Sequence, residues 1–226
     1  MNSPKSIILA GPQGSGKGTV GKTIAERYGM QIFETGGKLR EIAKTTETPA
    51  KGTPEEEMTT DQKIKATMER GDLVSNELIM SMVREVLSSI TENGVIFDGI
   101  PRTPEQAKGL KILLDECNQQ CEVVLIDIGE EETLKRLVQR KICVDCGKSP
   151  SPKHKEDSCD CCGGNLITRP DDQPEKIKRR LKDYREKTVP ALNEFDDIIR
   201  INGEQSPEEV LSDVLQALDP ILKQTE

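Results

Sequence analysis

The sequence predicts an α/β fold of three layers, a parallel sheet covered by helices. Two observations carry this. Short apolar runs alternate with stretches of helical period along most of the 226 residues, the pattern of strand, crossover helix and next parallel strand. The first apolar run, Ile7-Ile8-Leu9-Ala10, leads directly into Gly11-Pro12-Gln13-Gly14-Ser15-Gly16-Lys17-Gly18-Thr19, and a helical pattern through Val20, Ile24 and Ala25 follows. Strand, glycine loop and helix, in that order, make a phosphate-binding loop.

Each element has its own signal. The first strand is expected near residues 6–10. Glycines let the loop behind it turn so that successive N–H groups face one phosphate, and the helix N-terminus adds its positive end. Lys17 reaches the outer phosphates as a point charge. Ile32-Phe33 is a second strand. Residues 79–90 place Ile79, Met82, Val83, Val86, Leu87 and Ile90 on one helical face. Val95-Ile96-Phe97 is a buried strand ending at Asp98-Gly99, and Cys121 to Ile128 is another, followed by a helix through Leu134, Leu137 and Val138. Ile198, Ile199 and Ile201 mark the last strand. Ser206-Pro207-Glu208-Glu209 is a capping box with proline at the first helical position. Ligands sit at the carboxyl ends of such strands. The loop, Thr35 and Asp98 all follow strand ends and are expected to converge.

Two segments interrupt the alternation. Residues 45–60 are polar with two prolines and read as a surface loop. Residues 141–168 hold five of the seven cysteines. Cys143, Cys146, Cys159 and Cys162 have the spacing C-x2-C-x12-C-x2-C, which supplies four thiolates for a tetrahedral structural Zn²⁺. Cys161 is then spare, and the single histidine, His154, reads as a solvated loop residue. An odd cysteine count in a clustered pattern fits a metal site in a reducing cytoplasm better than a disulfide framework.

Composition bounds the function. Apolar residues make up 34% and charged residues 32%, as in a soluble globular protein. A formal net charge of −8 disfavours general nucleic-acid binding. No apolar run approaches the ~18 residues of a membrane span, and the apolar run after Lys5 is too short for a signal peptide.

One detail of the loop narrows the class. Gly18 stands where an ordinary Walker loop has Ser or Thr after the lysine, and Thr19 comes one later. The loop resembles the GxxGxGKGT loop of nucleoside monophosphate kinases. Phe97-Asp98-Gly99-Ile100-Pro101-Arg102-Thr103-Pro104-Glu105-Gln106-Ala107 is similar to the FDGFPRTxxQA segment of adenylate kinase. Thr103 to Gln106 also fits a capping box, so Gln106 has a purely structural alternative. Further similarities run in order along nearly the whole chain: Thr35-Gly36 with Arg40, Gly71-Asp72-Leu73-Val74, Arg136 with Arg140, Arg169-Pro170-Asp171-Asp172 with Arg180-Leu181, and Asn202-Gly203-Glu204-Gln205.

The resemblance to adenylate kinase implies the reaction ATP + AMP ⇌ 2 ADP with Mg²⁺. It implies that Lys17, Asp98, Arg102, Arg140, Arg169 and Arg180 serve catalysis. ATP would lie on Gly14, Ser15, Gly16, Lys17, Gly18, Thr19, Arg136, Arg140 and Gln205. AMP would meet Thr35, Arg40, Asp72, Leu73, Val74, Gly99, Ile100, Pro101, Arg102, Gln106, Arg169 and Arg180. It further implies a core of residues 1–34, 74–140 and 169–226, an AMP-binding arm at 35–73 and a zinc-bearing lid at 141–168. A monomer with no nucleic-acid or membrane partner is expected. Transfer between two nucleotides needs positioning and cationic stabilisation more than covalent chemistry, which suits a cluster of arginines on an acidic protein.

The chain departs from the family pattern in places. Gly37 stands where the TGDxxR segment has Asp, removing a carboxylate near the metal, so a higher Mg²⁺ requirement is expected. Asn76 stands where an Asp is usual. Alternatives are another nucleoside monophosphate kinase, or a nucleotide-binding protein whose zinc knuckle, with Lys148, Lys153 and Lys155, recognises RNA or a protein partner.

Overall fold

The computed structural model describes residues 5–50, 52–70, 72, 74–89, 93–150, 154, 156–169 and 172–223. Gly71, Leu73, Ile90, Lys153, Lys155, Pro170 and Asp171 lie outside the described residues.

The chain opens with β1 (Lys5–Ala10), α1 (Lys17–Tyr28), β2 (Gln31–Glu34) and α2 (Thr35–Thr45). A polar stretch with one 3₁₀ turn at Glu55–Glu57 leads to α3 (Thr60–Arg70) and α4 (Asn76–Ser88). The alternation resumes with β3 (Val95–Asp98), α5 (Pro104–Glu116), β4 (Gln120–Asp127) and α6 (Glu130–Gln139). A small hairpin, β5 (Lys141–Cys143) and β6 (Leu166–Thr168), interrupts it. Then come α7 (Pro174–Asp183), a π-helical turn (Tyr184–Thr188), α8 (Val189–Leu192), β7 (Ile198–Asn202) and α9 (Pro207–Leu222).

Five strands pair in the order β2-β3-β1-β4-β7, all parallel. Parallel strands covered on both faces have no polar side, so they read as unbroken apolar runs. Side chains still alternate between faces. Ile8, Phe33, Phe97, Val123 and Leu125 point to one core with α4 and α5 residues such as Val83 and Leu110. Ile7, Leu9, Ile96, Val124 and Ile126 point to the other, with Ile24 of α1 and Val214 of α9. The chain crosses β1 between β3 and β4, and the crevice at the carboxyl end of such a switch point is where ligands bind.

Local signals set most boundaries. Helix α4 starts at Asn76, earlier than its apolar stripe, because the Ser75 hydroxyl accepts from the Leu78 N–H. The capping box at Ser206 and Glu209 is complete. At α5 only half of the expected box forms. The Thr103 hydroxyl accepts from the Gln106 N–H at 3.2 Å, but the Gln106 side chain turns elsewhere. The loop after α2 is largely exposed, as its prolines and charges predict. Its flanking helices are anchored: Leu39 of α2 and Ile64 of α3 are buried in the same cluster as Phe33 and Phe97.

Phe97 is fully buried in β3 and meets Phe33 edge-to-face at 6.1 Å. Phe97→Ala is expected to cost about 3–5 kcal/mol of stability. Val138→Ala, on the exposed face of α6, should stay within about 0.5 kcal/mol of the parent. Urea unfolding of both variants checks this, and equal midpoints would contradict the assigned core.

Candidate functional site

The glycine loop lies between β1 and α1, against β4. Gly11 has φ +138°, and a Cβ there would stand 2.3 Å from the Ile126 carbonyl oxygen. Only glycine lets the loop lie this close to the strand. Gly16 caps α1 with φ +97°, offers no side-chain cap, and no acidic residue follows in the first turn. The first N–H groups of α1 therefore face outward without a side-chain acceptor, an anion site by construction.

Lys17 is half-buried, with its ammonium end turned into the loop. It donates to the carbonyl oxygens of Gly11 at 2.9 Å and Pro12 at 2.8 Å and to the Ser15 hydroxyl at 3.2 Å. Desolvation lowers its pKa to about 8, Asp98 opposes the fall, and Arg102, Arg180 and Arg140 add to it. Four predicted cations thus share one field. Asp98, at the end of β3, is half-buried beside them, and a Cβ on Gly18 would lie 3.7 Å from its carboxylate. Burial pushes the Asp98 carboxyl up, Lys17 pulls it down, and Glu34 pushes it up again.

Asp172 fixes two of the arginines. Its side chain is wholly buried. It accepts from Arg140 Nε and Nη2, both at 2.7 Å, and from Arg180 Nη1 at 3.1 Å. The Arg169 carbonyl accepts from the Asp172 N–H at 2.9 Å. Arg136 instead ties loops together. It pairs with Glu132 at 2.7 Å and donates to the carbonyls of Gly203 at 2.9 Å and Gly14 at 3.4 Å. Gln205 donates to Asp213 of α9.

The other predicted half-site sits at the ends of β2 and β3. Thr35 is 3% exposed, and its hydroxyl has no hydrogen-bond partner among the described residues. It lies beside Gly99, whose Cβ would stand 3.8 Å from that of Thr35 and 3.1 Å from Arg102 Nη2. Arg102 Nε donates to the Gly99 carbonyl at 2.8 Å. Ile100 and Pro101 are buried between them, and Val74 is buried in the adjoining core. Gln106 accepts from the Arg102 N–H at 2.8 Å and donates to Asn76 Oδ1 at 2.9 Å. Asp72 is tied to Arg179 and to Arg70. Arg40 is paired with Glu34 at 2.8 Å.

Glu34 is the residue that sequence reasoning missed. Gly37 lies within α2 and is not among the glycines with positive φ, so no backbone demand explains it. A Cβ at Gly37 would lie 3.1 Å from the Glu34 carboxylate. The space that the Asp of the TGDxxR pattern would enter is bordered by another acid. Glu34 is opposite Asp98 in the register of β2 and β3. The signal was an acidic residue directly before Thr35, readable only once the strand register is known.

The cysteine segment forms two facing turns on the β5–β6 hairpin. The sulfur atoms of Cys143, Cys146, Cys159 and Cys162 all lie within 4.8 Å of one another. Gly147 donates to the Cys143 carbonyl at 3.0 Å, and Gly163 to the Cys159 carbonyl at 2.8 Å. Backbone N–H groups of Cys146 and Asp145 point at the Cys143 sulfur, and that of Cys161 at the Cys159 sulfur. Such N–H groups favour thiolates, so the donor set suits a soft divalent cation such as Zn²⁺. Cys161 stands outside the cluster, 3.1 Å from the Lys148 ammonium. The His154 ring meets the Ser158 carbonyl at 2.7 Å and is not a ligand candidate.

Replacing Asp172 by Asn keeps the shape and removes the charge between two guanidinium groups. Breaking a buried pair of this kind should cost about 3 kcal/mol. Thermal unfolding of Asp172→Asn measures it, and an unchanged melting temperature would mean that the burial of Asp172 costs as much as its ion pairs return.

Comparison with known proteins agrees with this geometry. The sequence model of the family described as adenylate kinase matches residues 9–199. The adenylate kinase of Petrotoga mobilis is 37% identical over 227 residues, covering 96% of this chain and 99% of its own length. That of Methanocella arvoryzae is 37% identical over 221 residues, covering 94% of this chain and 97% of its own. That of Haloarcula marismortui is 35% identical over 228 residues, covering 97% and 98%. A family match over most of the chain, with relatives 35–37% identical over nearly their full length, means that the chain belongs to the adenylate kinase family.

Proposed function

We infer that this chain transfers the terminal phosphoryl group of MgATP to AMP, ATP + AMP ⇌ 2 ADP. One observation carries the reading. Arg102, Arg140 and Arg180 all bear on the charge of Lys17, which follows a helix N-cap, and Arg102 also reaches Gly99 beside Thr35, a buried residue whose hydroxyl has no hydrogen-bond partner among the described residues. That is an arrangement for two phosphate chains meeting end to end.

The roles follow from the chemistry. The N–H groups of Gly14 to Thr19 cradle the donor's phosphates, and Lys17 neutralises the outer ones. Arg140 and Arg180, held by Asp172, and Arg169 stabilise the equatorial oxygens of the moving group. Arg102 and Arg40 hold the acceptor phosphate, Arg40 exchanging Glu34 for it. Thr35, Val74 and Gln106 border the acceptor base, and Arg136 and Gln205 line the approach for the donor base. Mg²⁺, arriving with ATP, neutralises phosphate oxygens. Asp98 would hold it through water, with Glu34 supplying the second carboxylate that Gly37 does not. Residues 35–73 form an arm over AMP and residues 141–168 a lid over ATP, whose closure excludes water so that AMP accepts the group. One chain carries the whole residue set, which supports action as a monomer, and its clustered free thiols suit a reducing cytoplasm.

The test is ADP formation from ATP with AMP, GMP, CMP and UMP offered singly. AMP should be the preferred acceptor. Lys17→Ala should lose at least about 100-fold in turnover, because charge stabilisation in a dry site is removed. ADP made equally fast with no monophosphate would identify an ATPase and defeat the reading.

Cys143, Cys146, Cys159 and Cys162 are read as a closed site for one structural Zn²⁺. Native mass spectrometry should find one zinc per chain, lost in Cys162→Ser and kept in Cys161→Ser. The melting temperature should fall with the first variant far more than with the second, since binding is coupled to folding of the hairpin. Zinc retained in Cys162→Ser but lost in Cys161→Ser would reverse the assignment.

A further inference from the structure

We propose that Asn76 is a positioning residue for recognition of the acceptor base, locking the Gln106 amide in the one orientation that takes a 6-amino purine and refuses a 6-oxo purine. This rests on the reading of Gln106 as a base contact.

A chain of fixed polarities sets the lock. The backbone N–H of Arg102 is a donor only, so the group 2.8 Å from it must be Gln106 Oε1. The amide nitrogen of Gln106 then faces Asn76 at 2.9 Å, so Asn76 must present its oxygen. The Thr103 hydroxyl accepts from the Gln106 backbone N–H at 3.2 Å. Its own proton is left to donate to the same Asn76 oxygen, at 3.4 Å. Two donors on one oxygen hold Asn76 as it holds Gln106. The Gln106 residue is 3% exposed, so a rotated amide would bury a donor against a donor and an acceptor against an acceptor, which is costly.

The internal bonds use one N–H and one lone pair of the amide. One N–H and one lone pair remain for a ligand. A free amide reads either purine, because turning it over exchanges donor and acceptor. Adenine offers an amino donor beside a ring acceptor, and glutamine pairs with it bidentately. Hypoxanthine and guanine offer a carbonyl beside a ring N–H, the reverse order. A locked amide matches the first and meets the second with like against like, a mismatch that discriminates far better than shape alone.

Steady-state ADP formation with AMP and with IMP tests this, with the Kd for AMP from calorimetry. Asn76→Ala should raise Kd and KM for AMP about five- to tenfold, as for one lost buried hydrogen bond, with kcat falling less. The AMP-over-IMP ratio of kcat/KM should drop by a similar factor. Asn76→Asp keeps the acceptor and should hold the ratio within about twofold of the parent. Asn76→Leu matches the branching of the side chain and should behave as Ala does, whether or not Ala weakens the fold. In Asn76→Ala/Gln106→Ala the ratio should be no lower than in Gln106→Ala alone, because the two act as one unit. A normal ratio in Asn76→Ala and Asn76→Leu, with a reduced one in Gln106→Ala, would overturn the role of Asn76 alone. An unchanged ratio in Gln106→Ala would overturn the inference by removing its base contact. Absence of AMP-dependent transfer in the parent would overturn the proposed function itself.

Discussion

Like charges brought together must be held against their own repulsion, and the site depends on how this chain does it. Arg102, Arg140 and Arg180 all bear on the charge of Lys17, yet the protein as a whole carries a net charge of −8. Three devices hold them. Carbonyl oxygens of the loop take the Lys17 ammonium. The buried Asp172 carboxylate takes Arg140 and Arg180 together. Asp98 lies beside the remainder. Arg140 keeps guanidinium donors beyond the two it gives to Asp172, whereas Lys17 gives all three of its protons to loop acceptors and must exchange them when phosphate binds.

The sheet places those devices. Parallel strands end on one side, and register decides which ends are neighbours. Glu34 and Asp98 are paired positions at the ends of β2 and β3, while Asp98 is level with Leu9, one residue before the end of β1. The glycine loop therefore starts beside the carboxylates. Thr35 follows Glu34 directly, and Gly99 follows Asp98. A shift of one residue in either strand would turn the acids into the core. The apolar partners on both faces, Phe97 and Ile96 among them, are what forbid that shift.

The strands were legible in the sequence because burial on both faces leaves short unbroken apolar runs, as in Ile7 to Ala10 and Val95 to Phe97. The phosphate loop was legible because its glycines are required locally, and the cysteine cluster because paired CxxC turns carry their own geometry. What could not be read was partnership across the chain. Glu34 drew no reading until the register set it against Asp98. Gln106 looked equally like a cap or a contact. Its side chain in fact leaves the Thr103 N–H for Asn76 and the Arg102 N–H, contacts set by how α4 packs on α5. Arg136 fitted a phosphate-binding pattern, but its bonds run to Glu132 and to the Gly14 and Gly203 carbonyls, a cross-tie no spacing rule reveals. Leu39 and Ile64 had no sequence signal that they anchor α2 and α3 in the core shared with Phe33.

If Lys17 is a desolvated cation held ready for phosphate, its proton balance must change when ATP binds. Empty, it titrates near 8, below its ordinary 10.5. Between those values the unfolded chain binds more protons here than the folded one, so ligand-free stability rises with pH through that window. ATP binding has the opposite sign, because phosphate raises the pKa again and draws a proton in. Calorimetric titration with MgATP at pH 9, in buffers of different ionisation enthalpy, measures that proton directly. Uptake approaching about one proton per ATP, small at pH 7 and absent in Lys17→Met, is the expected result. No uptake at pH 9, with ATP still bound, would show that the ammonium is solvated and that the site is not built around its burial.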